Sequence, residues 1–128
     1  MSTVNLVTAI RETLHAEMAA DERIVLLGED VGTRGGVFKV SEGFLEDFGE
    51  RRVIDTPLAE SGIVGVAIGM ALHGMVPVAE IEFADFIHPA FDQIVSEAAR
   101  MRYRTNGDWG CPLVVRAPCG GGIHGALY

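Results

Sequence analysis

Apolar residues first recur at helical spacing. Leu6, Val7, Ile10, Leu14 and Met18 share one face, with Arg11, Glu12, His15 and Glu17 off it. An amphipathic helix is predicted there, with Asn5 or Thr3 capping its start. The pattern then changes: Ile24-Val-Leu-Leu-Gly28 is a continuous apolar run, the mark of a strand buried on both faces of a parallel sheet. Ser41 is expected to cap a short helix whose apolar side is Phe44, Leu45 and Phe48, ended by Gly49. Arg52-Val-Ile-Asp55 predicts a second strand and Val76 to Phe83 a third. A further helix is expected from Pro89, with Ala90, Phe91, Ile94, Val95 and Ala98 facing inward, and Leu113-Val-Val-Arg116 supplies the last strand.

The central helix candidate follows Thr56-Pro57, because proline disfavours helical geometry in the residue before it. From Glu60 onward Ile63, Val64, Ala67, Ile68 and Ala71 keep helical spacing, and no charge interrupts them before Glu80. Gly62, Gly65 and Gly69 line a stripe that another backbone can approach closely. Glu60 is thus an acid at the mouth of an apolar helix. Two readings compete. An acid in a first turn suits the helix dipole and needs no other reason. An acid held away from water keeps its proton nearer neutral pH and serves proton transfer.

Strands alternating with helices at this spacing predict an α/β fold, a mostly parallel sheet with helices on both faces. Ligands bind such sheets beyond the carboxyl ends of the strands. On chemistry alone the helix-start reading of Glu60 is favoured. Glu29, Thr56 to Glu60, Asp85-Phe86 and the Gly120 to His124 loop all fall at those ends, which raises the functional reading and leaves both open. The glycine loop Gly32-Thr-Arg-Gly-Gly36 lacks the G-x-G-x-x-G order and runs into no helix, so a dinucleotide-binding reading is rejected.

At 128 residues the chain holds one domain. A net charge of −8 disfavours nucleic acid or an anionic membrane as partner. Cys111 and Cys119 lack metal-ligand spacing and read as free thiols. The amino terminus carries no secretory pattern, and the uncharged stretch from Ser61 to Ala79 is better explained by a buried helix, turn and strand than by a membrane span. A cytoplasmic location is expected.

Five blocks occur in order: Gly28-Glu-Asp-Val-Gly32, Thr56-Pro-Leu-Ala-Glu-Ser-Gly-Ile-Val-Gly65, Ala79-Glu-Ile-Glu-Phe-Ala-Asp-Phe86, Phe91-Asp-Gln-Ile-Val95 and Gly121-Gly-Ile-His-Gly-Ala-Leu-Tyr128. Together they resemble the beta subunit of thiamine-diphosphate-dependent 2-oxo acid dehydrogenases. The likeness spans nearly the whole chain and places residues 1–128 in the amino-terminal part of the transketolase-like pyrimidine-binding domain. It implies that Glu60 bonds a ring nitrogen of the cofactor's aminopyrimidine and tunes its tautomer, so that the thiazolium carbon can be deprotonated for attack on the 2-oxo acid. It further implies that Leu58, Glu82 and Phe86 line the aminopyrimidine pocket, although Gln is usual in place of Glu82 and Tyr in place of Phe86.

The resemblance also implies partners. An alpha subunit would supply the Gly-Asp-Gly motif for Mg2+ and the diphosphate, which this sequence lacks. A second beta subunit would pack on the glycine stripe in an alpha2-beta2 assembly, and a lipoyl-bearing acyltransferase core would receive the acyl group. The substrate would be a small 2-oxo acid, pyruvate or a branched-chain one. The Asp85-Phe86 and Arg102-Tyr-Arg-Thr105 blocks lean towards the branched-chain type. In relatives a substrate-contacting His follows the Ala-Leu-Tyr that here ends at Tyr128, and His124 does not match that position. His15, His73 and His88 receive no role. The 128-residue chain alone is expected to be inactive and to hold the cofactor weakly. The competing expectation is a truncated, non-catalytic domain that self-associates through exposed apolar surface.

Overall fold

The computed structural model describes residues 3–120. The helix α1 spans Leu6–Ala20, and Asn5 caps it by accepting the Thr8 amide at 2.8 Å. The strand β1 (Ile24–Gly28) is buried along its whole length. A short helix α2 (Phe44–Phe48) and strand β2 (Val53–Asp55) follow, then the helix α3 (Glu60–Leu72) and strand β3 (Val76–Glu80). A 3-10 run over Ala84–Ala90 leads into a π-helical segment, Gln93–Ala98, and the one-turn helix α4 (Met101–Arg104). The strand β4 (Val114–Arg116) comes last.

The four strands form one parallel sheet in the order β2-β1-β3-β4. Leu26 lies opposite both Val53 and Val78, and Val78 opposite Val114. Because side chains alternate across a strand, neighbours in β1 and β3 feed different cores. Leu26 and Val78 pack with Leu14 and Met18 of α1 and Phe44 of α2. Leu27 and Ala79 pack with Ile63, Val64, Ala67 and Ile68 of α3, together with Ala90 and Met101. Each large apolar side chain so buried contributes about 1.5–3 kcal/mol. The expected α/β architecture with helices on both faces is the one observed.

Three local expectations give way. Ser41 does not cap α2: its buried hydroxyl donates to the Val31 carbonyl at 2.7 Å, and Gly43, at φ 83°, holds the cap position. The third strand stops at Glu80 rather than Phe83, since its neighbour β4 ends at Arg116. The helix expected from Pro89 is neither one helix nor inward-facing at Phe91, which is 63% exposed. Phe86 N donates to Phe83 O, three residues back, while Ala99 N donates to Ile94 O, five back. Tightening and then widening the turn shifts each side chain away from its α-helical angle, so spacing predicted for an α-helix misplaces the face.

No helix among the described residues is long and apolar enough to cross a membrane.

Candidate functional site

The carboxyl ends of β1, β2 and β3 lie side by side, and the amino terminus of α3 opens beside them. Gly28 closes β1 because nothing larger fits. A Cβ there would stand 2.6 Å from the Glu80 carbonyl oxygen of β3. Next in the chain is Glu29, half-buried. Burial is the largest influence on its carboxyl and raises its pKa above the ordinary 4.5; the charges of Glu82, Asp30 and Glu60 push the same way. Glu60, from α3, and Glu82, from the segment after β3, therefore both lie within electrostatic reach of Glu29.

The loop carrying Glu29 is tied down by β2. The Asp55 carboxylate accepts the Gly32 amide at 2.6 Å and the Thr33 amide at 3.0 Å. Burial alone would raise the Asp55 pKa, but the Thr33 and Gly32 amides and the Thr33 hydroxyl outweigh it and hold the group below its ordinary 3.8. Gly32 is required for this approach: a Cβ would sit 2.9 Å from the carboxylate oxygen. Beyond Asp55, the Thr56 amide donates to Gly28 O at 2.9 Å. The Thr56 hydroxyl oxygen is buried and has no hydrogen-bond partner among the described residues.

Glu60 begins α3 and is half-buried, less secluded than its apolar sequence context predicts, because the preceding Pro57, Leu58 and Ala59 are all exposed. Leu58 is 69% exposed. Glu82 borders a cavity of about 300 Å³ lined by Asp30, Arg34, Gly36, Val37 and Lys39, and neither Glu60, Leu58 nor Phe86 shares that lining. Phe86 is half-buried in the core beneath α3, its ring perpendicular to Phe83 at 5.7 Å between centroids. Glu60 and Glu82 thus each act on Glu29 without sharing a cavity, with Phe86 in an aromatic row beside Phe83 and Leu58 exposed before α3.

Glu29 is the acid that sequence reasoning placed at a strand end without giving it a role; the run of apolar residues followed at once by Glu-Asp was its signal. A second ionic group was missed. Glu80, 4% exposed, pairs with Arg116 of β4 at 2.6 Å. Burial raises the Glu80 pKa, Arg116 opposes the rise, and Glu82 adds to it. Alternation in two strands that are not adjacent in sequence cannot reveal such a pair.

Residues 2–127 match the family described as the transketolase pyrimidine binding domain. The chain belongs to that family. Among relatives, the 2-oxoisovalerate dehydrogenase subunit beta of Bacillus subtilis (strain 168) is 61% identical over 128 residues, which is 100% of this chain and 39% of the relative. The subunit of the same name from Pseudomonas aeruginosa is 47% identical over 125 residues, 98% of this chain and 36% of the relative. The pyruvate dehydrogenase E1 component subunit beta of Bacillus subtilis is 48% identical over 124 residues, 97% of this chain and 38% of the relative. The chain therefore spans less than two-fifths of the length of these relatives. As a member of the pyrimidine-binding family it carries its acids where the parallel sheet opens. Gly121 to Tyr128, including His124, lie outside the described residues.

Proposed function

We propose that this chain is the pyrimidine-binding part of the beta subunit of a 2-oxo acid dehydrogenase, and that Glu60 is its catalytic acid. The observation that carries this reading is the position of Glu60 at the start of α3, where its charge and that of Glu82 both reach Glu29 at the end of β1. An aminopyrimidine offers ring-nitrogen acceptors and an amino donor. The side chains at this opening fit it: a carboxyl can donate when protonated and accept when ionised, burial and neighbouring charge raise the Glu29 pKa, and the buried Thr56 hydroxyl has no partner among the described residues. Thiamine diphosphate, when bound, supplies the nucleophilic carbon and the electron sink for loss of carbon dioxide.

Glu60 holds a proton at the pyrimidine ring nitrogen in this scheme. Glu29 lies close enough to bias where that proton rests, and Glu82 takes the place at the ring edge where Gln is usual. Phe86 and Leu58 supply apolar walls. The diphosphate and Mg2+ are held by an alpha subunit, and a second beta subunit packs on the glycine stripe of α3. The acyl group passes to a lipoyl-bearing acyltransferase core. A branched-chain 2-oxo acid is favoured over pyruvate by the 61% identity to the 2-oxoisovalerate subunit.

The test is decarboxylation by the full-length subunit joined to its alpha partner, with Glu60→Gln. A fall of roughly 10²–10⁴-fold is expected for loss of a proton-transfer group; an unchanged rate rejects the assignment. A second reading, self-association without catalysis, is favoured by one observation. Val66 is 56% exposed on the same open face as Gly62, Gly65 and Gly69. Sedimentation of the 128-residue chain separates the readings. A chain that dimerises there while its full-length parent does not decarboxylate would leave only the second.

A further inference from the structure

The site assignment uses Phe86 but leaves the aromatic row behind it unexplained. Phe83 meets Phe86 edge-to-face at 5.7 Å and 90°, and Phe38 meets Phe83 at 6.2 Å and 81°. Both geometries are the favoured perpendicular arrangement, in which the positive ring edge faces the negative ring face. The row starts in a loop far from Phe86 in sequence. That loop is built to hold its shape: Gly36 N donates to Asp30 O at 2.8 Å, the Lys39 ammonium donates to Arg34 O at 2.6 Å, and Lys39 itself sits at φ 59°. Arg11 of α1 reaches across to the Lys39 and Val40 carbonyls at 3.5 and 3.4 Å. Phe38 also walls a largely apolar cavity of about 360 Å³ with Leu6, Val7 and Ile10 of α1.

We propose that Phe38 is a positioning residue, which acts through Phe83 to set the Phe86 ring against the cofactor's aminopyrimidine. The inference rests on the site reading above, since it needs Phe86 at the pyrimidine. Phe38 touches no reacting atom. Its part is to brace the Phe83 ring edge-to-face, so that Phe86 is held through Phe83 as well as by the core under α3. The loop over 36–40 and the amino-terminal half of α1 thereby become part of what determines cofactor affinity.

The experiment is a double-mutant cycle on the full-length subunit assembled with its alpha partner, reading the dissociation constant for thiamine diphosphate beside kcat at saturating cofactor. Phe38→Leu is expected to raise that constant roughly two- to tenfold, the worth of one aromatic pair, with kcat held within about twofold. Phe38→Tyr keeps the ring and should keep the affinity. In a Phe83→Leu background, Phe38→Leu should add nothing further. An unchanged dissociation constant, or an equal rise in both backgrounds, overturns the proposal, because a purely structural loss adds independently of Phe83. Should Phe38→Leu fail to assemble, Phe83→Leu alone must give the same rise, and wild-type affinity there is equally fatal. Loss of activity in Glu60→Gln alongside silent Phe38 variants removes only this inference; an active Glu60→Gln removes the site reading beneath it.

Discussion

Arg52 ties the end of α1 to the amino-terminal end of β1, at the end of the strands opposite the site, and its removal has a calculable cost. Its guanidinium donates to Met18 O at 2.6 Å, to Asp21 O at 2.9 Å and to Ile24 O at 2.8 and 3.1 Å. Those carbonyls belong to the last turn of α1, its C-cap and the first residue of β1. The charge also lies at the helix end that favours a cation and 5.2 Å from the Phe48 ring centre. A hydrogen bond to a charged group contributes about 1.5–3 kcal/mol. Arg52 is only half-buried, so water takes over part of the bonding when it is removed. Arg52→Ala should therefore cost about 2–4 kcal/mol, well below the sum of four bonds. Arg52→Lys offers a point charge instead of a planar fork and should cost about 1–2 kcal/mol. Urea unfolding gives the totals, and hydrogen exchange of residues 18–28 locates the loss. A cost under about 1 kcal/mol for alanine, or a lysine variant equal to wild type, refutes the reasoning.

Other expectations follow from the ionic groups. Asp55→Asn should destabilise the loop that carries Glu29, and its effect should depend on pH. A carboxyl held below its ordinary value contributes stability above the unfolded pKa near 3.8 and loses it as pH falls through the lower folded value, so wild type and variant should converge in acid unfolding curves. Glu29 has the opposite sign: a raised carboxyl is most favourable below 4.5 and costs stability as pH rises through its folded pKa. Glu29→Gln should raise the melting temperature at pH 7 and not at pH 4, as calorimetry would show. Arg116→Met leaves the buried Glu80 without its partner and should cost about 3–5 kcal/mol by urea unfolding, while adding Glu80→Gln should recover much of that. Gly32→Ala forces the Asp55 carboxylate away from the two amides and should cost about 1–3 kcal/mol by the same measurement.

The residues that were legible in the sequence are those whose structure is local. Asn5 caps α1, Gly49 ends α2 and Glu60 opens α3 because each needs only its near neighbours. The apolar run of β1 announced a buried central strand for the same reason. What escaped depends on residues distant in the chain. Ser41 has every local mark of a cap, yet Val31 O takes its hydroxyl. The segment passes from 3-10 to π geometry between Ala84 and Ala98 where it packs against α3, and no single period describes it. The gathering of functional candidates at strand ends is legible in outline, but that the charges of Glu60 and Glu82 reach Glu29 depends on the sheet order β2-β1-β3, which spacing along the chain does not encode.

The most direct measurement is proton exchange at the thiazolium carbon of thiamine diphosphate bound to the full-length subunit and its alpha partner, compared between wild type and Glu60→Gln. If Glu60 handles the pyrimidine proton, exchange should slow by roughly 10²–10⁴-fold while the cofactor stays bound. Exchange at the wild-type rate in the variant would contradict the account.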